Sequence, residues 1–306
     1  MIKKIYNYVD FKSINSSVKY LSISAFLTGM ALGYFFTVIV ITQKLSGYLE
    51  STIGIVASSF SLGLVAAGFF VSKILAKIGL YKMLLLSASI QTVSVLAMFI
   101  YFNPINLALC HLIMGIMGGM NWMTMDTWVN IVSNDKNRGK AIGLYNSSIS
   151  IGFAVGPLIV ALFGSQGLIP IILCLLLMII RMPALYIMKN HINNVKIPEQ
   201  INKINFSLVK IAPFIFIAIF IGGINDSSFG ALFPAFMINE QFTDRSIGFY
   251  FFVGAIGGVL SQPFVGSLAD KVNKRKFLFS LLICHIIWPL LLFNFISIPL
   301  IIILSV

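Results

Sequence analysis

Apolar runs of 18 or more residues follow one another along this chain, separated by short clusters of charge and glycine. They lie near residues 19–43, 52–73, 83–102, 105–129, 141–163, 167–188, 211–236, 247–268 and 277–295, and a tenth begins near Pro299. About 20 apolar residues in helical form cross the hydrocarbon of a bilayer, so each run predicts a spanning helix. The alternation of barrel strands is absent, and helices satisfy their backbone hydrogen bonds internally, as hydrocarbon requires. The pattern therefore predicts an all-α polytopic membrane protein.

Composition agrees. The chain is 58% hydrophobic and 10% charged, with 27 Phe and a mean hydropathy of +0.98. A soluble domain of that make-up lacks the polar surface to cover itself. The net charge of +12 is of a size seen in nucleic-acid binders, but its placement gives it another meaning. Lys3, Lys4, Lys12 and Lys19 precede the first run. Lys73, Lys77 and Lys82 separate the second from the third, and Lys136, Arg138 and Lys140 the fourth from the fifth. Lys189, Lys196, Lys203 and Lys210 follow the sixth, and Lys271, Lys274, Arg275 and Lys276 follow the eighth. Those loops share one side of the membrane and hold 18 of the 21 basic residues. Lys44 and Arg245 fall on the other side, and Arg181 lies within the sixth run. The positive-inside rule then predicts a cytoplasmic N-terminus in a cell inner membrane, with no role for nucleic acid.

Several function classes are not supported. Cys110, Cys174 and Cys284 lie in apolar runs without ligand spacing and read as small buried hydrophobes. Neither a phosphate-binding Gly-x4-Gly-Lys-Ser/Thr loop nor a Ser/His/Asp or metal-ligand constellation is present. No enzyme, ATP-driven motor, cofactor or metal is expected. The run after Lys19 is long enough to be a span in its own right, so a cleavable signal peptide is not expected either.

The chain also repeats itself. Shifted by 194 residues, the segment beginning IGIVASSFSLGLVAAGFF at Ile53 lies without a gap on IGFYFFVGAIGGVLSQPF at Ile247. Ile53, Gly54, Gly63, Lys77 and Lys82 meet Ile247, Gly248, Gly257, Lys271 and Lys276, and residues 26–84 give 12 identities in all. Spans one and two thus recur as seven and eight. Paired six-span repeats are an architecture of secondary transporters. The expected organisation is a six-helix half over 1–188, a basic cytoplasmic linker over 189–210, and a second half over 211–306 holding three spans and part of a fourth.

Gly266, Asp270, Lys271 and the basic end at Arg275 and Lys276 form a loop after span eight that resembles the signature loop of the major facilitator superfamily. Asn273 stands where that family usually has Gly. The first copy is degenerate, with Ser72 and Ala76 for the Gly and Asp, while Lys77, Gly79 and Lys82 remain. Arg138 and Gly139 look like the family's Arg-Gly segment between spans four and five. Gly143, Gly152, Gly156 and Pro157 follow the span-five spacing often found in exporters, without its trailing Gly pair. Span four (HLIMGIMGGMNWMTMD) and span seven (GGINDSSFGALFP) are similar to a bacterial YcaD-like branch, with His111 where many members have Arg. The resemblance implies a major-facilitator-type bundle of parallel six-helix repeats that transports a small molecule. It also implies that Asp270 locks the cytoplasmic face against the start of span five, beside Arg138, where a helix dipole favours an anion.

The polar residues inside spans are read independently of that resemblance. Asp126 and Asp226 are the acids within or at the edge of spans, and a charge at a helix centre costs roughly 2.5–3.5 kcal/mol to insert. Such residues usually face a cavity or a partner, although Asp126 is close enough to the helix end to meet headgroup water. Burial favours the neutral form of a carboxyl and hydration the charged form, which is what coupling to a proton requires. Trp122 shares a helical face with Asp126, Asn121 and Asn225 adjoin the two acids, and His111 is titratable. These residues are candidates for a substrate cavity, each with an alternative as an interfacial anchor or helix bridge. Arg181 is a candidate cavity charge or a side chain reaching the inner surface. The pairs Gly115/Gly119 and Gly152/Gly156 read as helix-packing faces.

The expectation that follows is a proton-coupled secondary transporter of an unidentified small solute. Twelve spans are usual in the family, so the chain reads as C-terminally truncated. A non-transporting remnant, or one piece of a split transporter completed by a second polypeptide, is the alternative.

Overall fold

The computed structural model describes residues 16–133, 138–193 and 213–269, and ten further residues between 272 and 287. Lys3, Lys4, Lys12, Lys136, Lys196, Lys203, Lys210, Asp270, Lys271, Lys274 and Arg275 lie outside the described residues, as do most of the expected linker and ninth span and all of the tenth.

Eight helices are described: α1 Ser16–Leu45, α2 Glu50–Ile100, α3 Pro104–Val132, α4 Arg138–Phe163, α5 Ile169–Ile179, α6 Arg181–Asn193, α7 Pro213–Asn239 and α8 Asp244–Ala269. The expected separate spans two and three are joined in α2. At 51 residues it is far longer than one crossing needs. Gly79, at φ 82° and ψ 166°, breaks it into two arms, 50–78 and 80–100. Only glycine adopts that backbone without strain, so the expected loop shrinks to one residue. Span six, by contrast, is interrupted at Ile180 between α5 and α6. The turns are tight because side chains close them. Asn103 caps α3 by accepting from the Asn106 N–H at 3.0 Å, with Pro104 in the first turn. Asn106 Nδ2 in turn donates to Ala97 O and Tyr101 O at the end of α2.

The exterior is apolar. Ile55, Leu62, Val65, Phe69, Val93, Ile105 and Leu109 on α2 and α3 are all exposed, while Gln91, His111, Asn121, Thr124 and Arg181 are buried. Lipid makes that inversion favourable where water would not. Helices gain little hydrophobic drive from association in lipid, so close packing has to hold them together. The glycines supply it. A Cβ on Gly29 or Gly33 of α1 would stand 2.3 and 2.5 Å from carbonyl oxygens of α4, and one on Gly152 or Gly156 would stand 2.2 Å from the α1 backbone. Gly63 and Gly115 form the same kind of seam between the first arm of α2 and α3, with Cβ positions 2.3 and 2.0 Å from opposing carbonyls. Gly119 lies against Ala67.

One end of the bundle, here the basic end, carries Lys19, Lys73, Lys77, Lys82, Arg138, Lys140, Lys189 and Lys276. The opposite, distal end carries the turns at 46–49, 101–103, 164–168 and 240–243. Two buried clusters divide the core along this axis. The distal cluster draws on α7 and α8 (Ala235, Met237, Ile247, Tyr250) as well as on α1–α5. The basic-end cluster, among the described residues, comes from α1–α4 and α6 alone. Among the described residues, α7 and α8 close on the first six at the distal end. α7 packs on α1 and α2, α8 packs on α4, and the two touch each other through Phe229, Phe233, Tyr250 and Phe251.

Candidate functional site

Close contact between α8 and α4 begins at the distal end. A Cβ on Gly248 would lie 2.6 Å from Ala161 N and 2.7 Å from Pro157 O, so side-chain-free backbone is what lets the two helices meet. Further along the pair a space is left between them. The space between them is a cavity of about 240 Å³ lined by Trp122 of α3, Ile149, Ser150 and Phe153 of α4, and Ala255, Gly258 and Val259 of α8. It lies where the first six helices face the second set.

Of the residues expected at a cavity, Trp122 lines it, 49% exposed. Asp126, one turn nearer the basic end on the same face, is half-buried. It faces the buried hydroxyl of Tyr145 of α4. Asn121 is buried, and its Oδ1 has no hydrogen-bond partner among the described residues. Ser148 returns its hydroxyl to Leu144 O, 2.8 Å away, as several other serines in these helices do. Ser150, two residues on, lines the cavity instead. The cavity thus offers an indole face and an apolar wall, with hydroxyl and carboxyl groups near it.

Other expected residues are placed apart. His111 is buried against Phe35, ring centroids 5.5 Å apart, and its Nδ1–H donates to Leu107 O at 2.8 Å. Arg181 does not line the cavity. It is 2% exposed, and its Nη1 donates to Gln91 Oε1 at 2.9 Å. Gln91 passes the contact on to Met114 O at 3.4 Å. No described carboxylate lies within ion-pair distance of this guanidinium, and its Nε has no partner among the described residues. The alternative of reaching the inner surface is equally excluded by that burial. Asn225 is partly exposed on α7, while the side chain of Asp226, in the same helix, lies outside those described. Gly266 ends near the α8 terminus, Arg138 opens α4 and Lys276 is exposed, but Asp270, the expected partner of Arg138, lies outside the described residues. Gly115, Gly119, Gly152 and Gly156 are at helix seams, with Pro157 inside α4 facing Gly248. Cys110 and Cys174 are buried as expected, but Cys284 is exposed, on an apolar stretch. Among the described residues, no group of three His, Cys, Asp or Glu could hold a metal.

Sequence reasoning overlooked Gln91, Tyr145, Ser150 and Phe153. Gln91 had a signal, an amide at the centre of an apolar run; the others had none, because only tertiary contact brings α4 to α3 and α8.

A helical bundle with an apolar exterior, buried polar groups and a cavity between two sets of helices is the architecture of a polytopic membrane protein. The sequence matches the model of the Major Facilitator Superfamily over residues 21–306, and the chain belongs to that superfamily. It is 25% identical over 268 residues to the uncharacterized MFS-type transporter YfkF of Bacillus subtilis (strain 168), across 86% of this chain and 67% of YfkF. In structure it is similar to the nucleoside transporter NupG, with a TM-score of 0.64 and 16% identity over 84% of this chain and 68% of NupG. It is also similar to a bacterial homologue of the human drug peptide transporters PepT1 and PepT2, with a TM-score of 0.52 and 14% identity over 82% of this chain and 54% of that one. At those identities the likeness is one of fold. The chain spans about two thirds of the length of YfkF and NupG and little more than half of the peptide transporter.

Proposed function

We propose that this protein is a proton-coupled secondary transporter that moves a small solute by alternating access, with the cavity between α3, α4 and α8 as its binding site. The observation that carries this reading is the position of Trp122 and Asp126. One presents an aromatic face to a cavity between the two helix groups, and the other sets an ionisable group one turn away on the same helix. The apolar lining suits a solute with a flat apolar part and few polar atoms. An acid that is neutral when buried and charged when hydrated links solute movement to proton movement. A proton crossing about 100 mV supplies roughly 2.3 kcal/mol. With about 1.4 kcal/mol per tenfold ratio, that supports close to 50-fold accumulation of a neutral solute. In this reading the basic end is cytoplasmic, residues 1–188 and 211–306 belong to two parallel repeats joined by 189–210, and Asp226 is the second coupling acid.

The test is proton flux into proteoliposomes during a screen of candidate solutes, using the full chain. A solute that drives internal acidification in the wild-type protein, with the signal lost in Asp126→Asn and Asp226→Asn at equal reconstitution, supports the assignment. Flux that persists in both variants refutes proton coupling through these acids.

A further inference from the structure

Two acids at the distal end are not used by the cavity. Glu50 opens α2 and Asp244 opens α8, and the same 194-residue offset that lays Ile53 on Ile247 lays Glu50 on Asp244. Each reaches across the boundary between the two helix groups. Asp244 Oδ2 accepts from the backbone N–H and the hydroxyl of Ser165, at 2.7 and 3.0 Å, in the turn between α4 and α5. Glu50 Oε1 accepts from Asn239 Nδ2 at 2.9 Å, at the end of α7, and is ion-paired with Lys44 at the end of α1.

The turn that presents Ser165 is shaped for this contact. Gly164 and Gly167 both have left-handed backbone, φ +78° and +82°, and a Cβ on Gly164 would stand 3.1 Å from Asp244 Oδ2. Directly below, Gly248 seals α8 on α4. The two contacts differ in strength. Ser165 is 5% exposed, so its bonds to a carboxylate are shielded from water. Glu50 is 45% exposed, and an ion pair there is weakened by solvent.

We propose that Glu50 and Asp244 are a matched pair of positioning residues, one in each repeat, that hold the distal end shut while the cavity opens toward the basic end. Both contacts must break for the distal end to open, and the Asp244 contact is the stronger of the two. The assignment rests on the transporter reading, but its test needs no solute.

The full chain, with Cys110, Cys174 and Cys284 replaced by Ala, receives a single reporter cysteine. One version carries it at Ala235, in the distal cluster shared by the two helix groups, and another at Ser150, in the cavity. Labelling by a water-soluble maleimide is followed in detergent micelles, where both ends meet the reagent. Asp244→Ala is expected to speed labelling at 235 about tenfold, the scale of losing a hydrogen bond to a charged group, and to slow it at 150. Glu50→Gln shifts both rates the same way by less, and the double variant by more than either. Ser165→Ala, which keeps the backbone donor and loses the hydroxyl, falls between wild type and Asp244→Ala. Unchanged rates in the double variant would overturn the latch. Faster labelling at both positions together would overturn it as well, because that marks general loosening in place of a shift between ends. Either result leaves the flux assay to judge the transporter reading separately.

Discussion

A single methyl group at Gly152 of α4 is expected to loosen the bundle, whereas the same methyl at Gly143 is not. Both glycines lie in one helix, and replacing either by Ala improves intrinsic helix propensity by about 1 kcal/mol. Their surroundings differ. A Cβ at 152 would stand 2.2 Å from Phe26 O and 2.9 Å from Met30 N of α1, while a Cβ at 143 meets nothing within 4 Å. Ordinary contact begins at 3.4 Å, so α1 and α4 must separate by about 1.2 Å at a seam whose attraction is mostly close-range dispersion. Overpacking of this kind typically costs about 1–3 kcal/mol, and rigid backbone obstructing at 2.2 Å puts this site toward the upper part of that range, above the propensity gain. The obstructing atoms are backbone, so no side chain can swing aside. Thermal unfolding of the purified protein, followed by loss of monodisperse material, should show Gly152→Ala several degrees below wild type and Gly143→Ala at or above it. Equal stabilities would refute the claim that this seam depends on the missing side chain.

Two further outcomes follow from the buried polar groups and the tryptophans. Gln91→Leu removes the acceptor for Arg181 Nη1 and should destabilise the protein by about 1.5–3 kcal/mol. Adding Arg181→Met should recover most of that loss, since replacing both partners by apolar groups is often neutral. A double variant no more stable than Gln91→Leu alone in thermal unfolding would contradict the pairing. In single-tryptophan variants, acrylamide should quench Trp122, 49% exposed and at the cavity, and spare the fully buried Trp128; equal quenching would contradict the described cavity.

Much of the fold is legible in the one-dimensional pattern because lipid imposes a single rule on every span. Apolar length located the first eight spans to within a few residues, apart from the interruption at Ile180, and the helix directions bring the described lysines of the basic loops to one end. Glycine spacing marked the seams at Gly115/Gly119 and Gly152/Gly156, since close backbone approach has a residue requirement that shows in sequence. The break between spans two and three is narrower than the apolar pattern predicts because one left-handed glycine, Gly79, takes the place of a loop.

The site was less legible. Trp122 and Asp126 stood out as polar or amphipathic residues in an apolar run. Whether such a residue meets a cavity or another helix depends on rotation about the helix axis, and that is set by neighbours far away in sequence. Arg181 shows the consequence: from sequence it is a charge in a span, and only its packing reveals that Gln91, 90 residues earlier, receives it. Ser165 lies in a turn and Asp244 at the start of α8, 79 residues apart, and nothing local to either announces the other. The sequence by itself determined the solvent, the helices and their close-packed faces, because each depends on residue type and spacing. Tertiary structure alone decided which polar groups meet and where the described parts of α7 and α8 pack on the first six helices, because those depend on how the two sets of helices are set against each other.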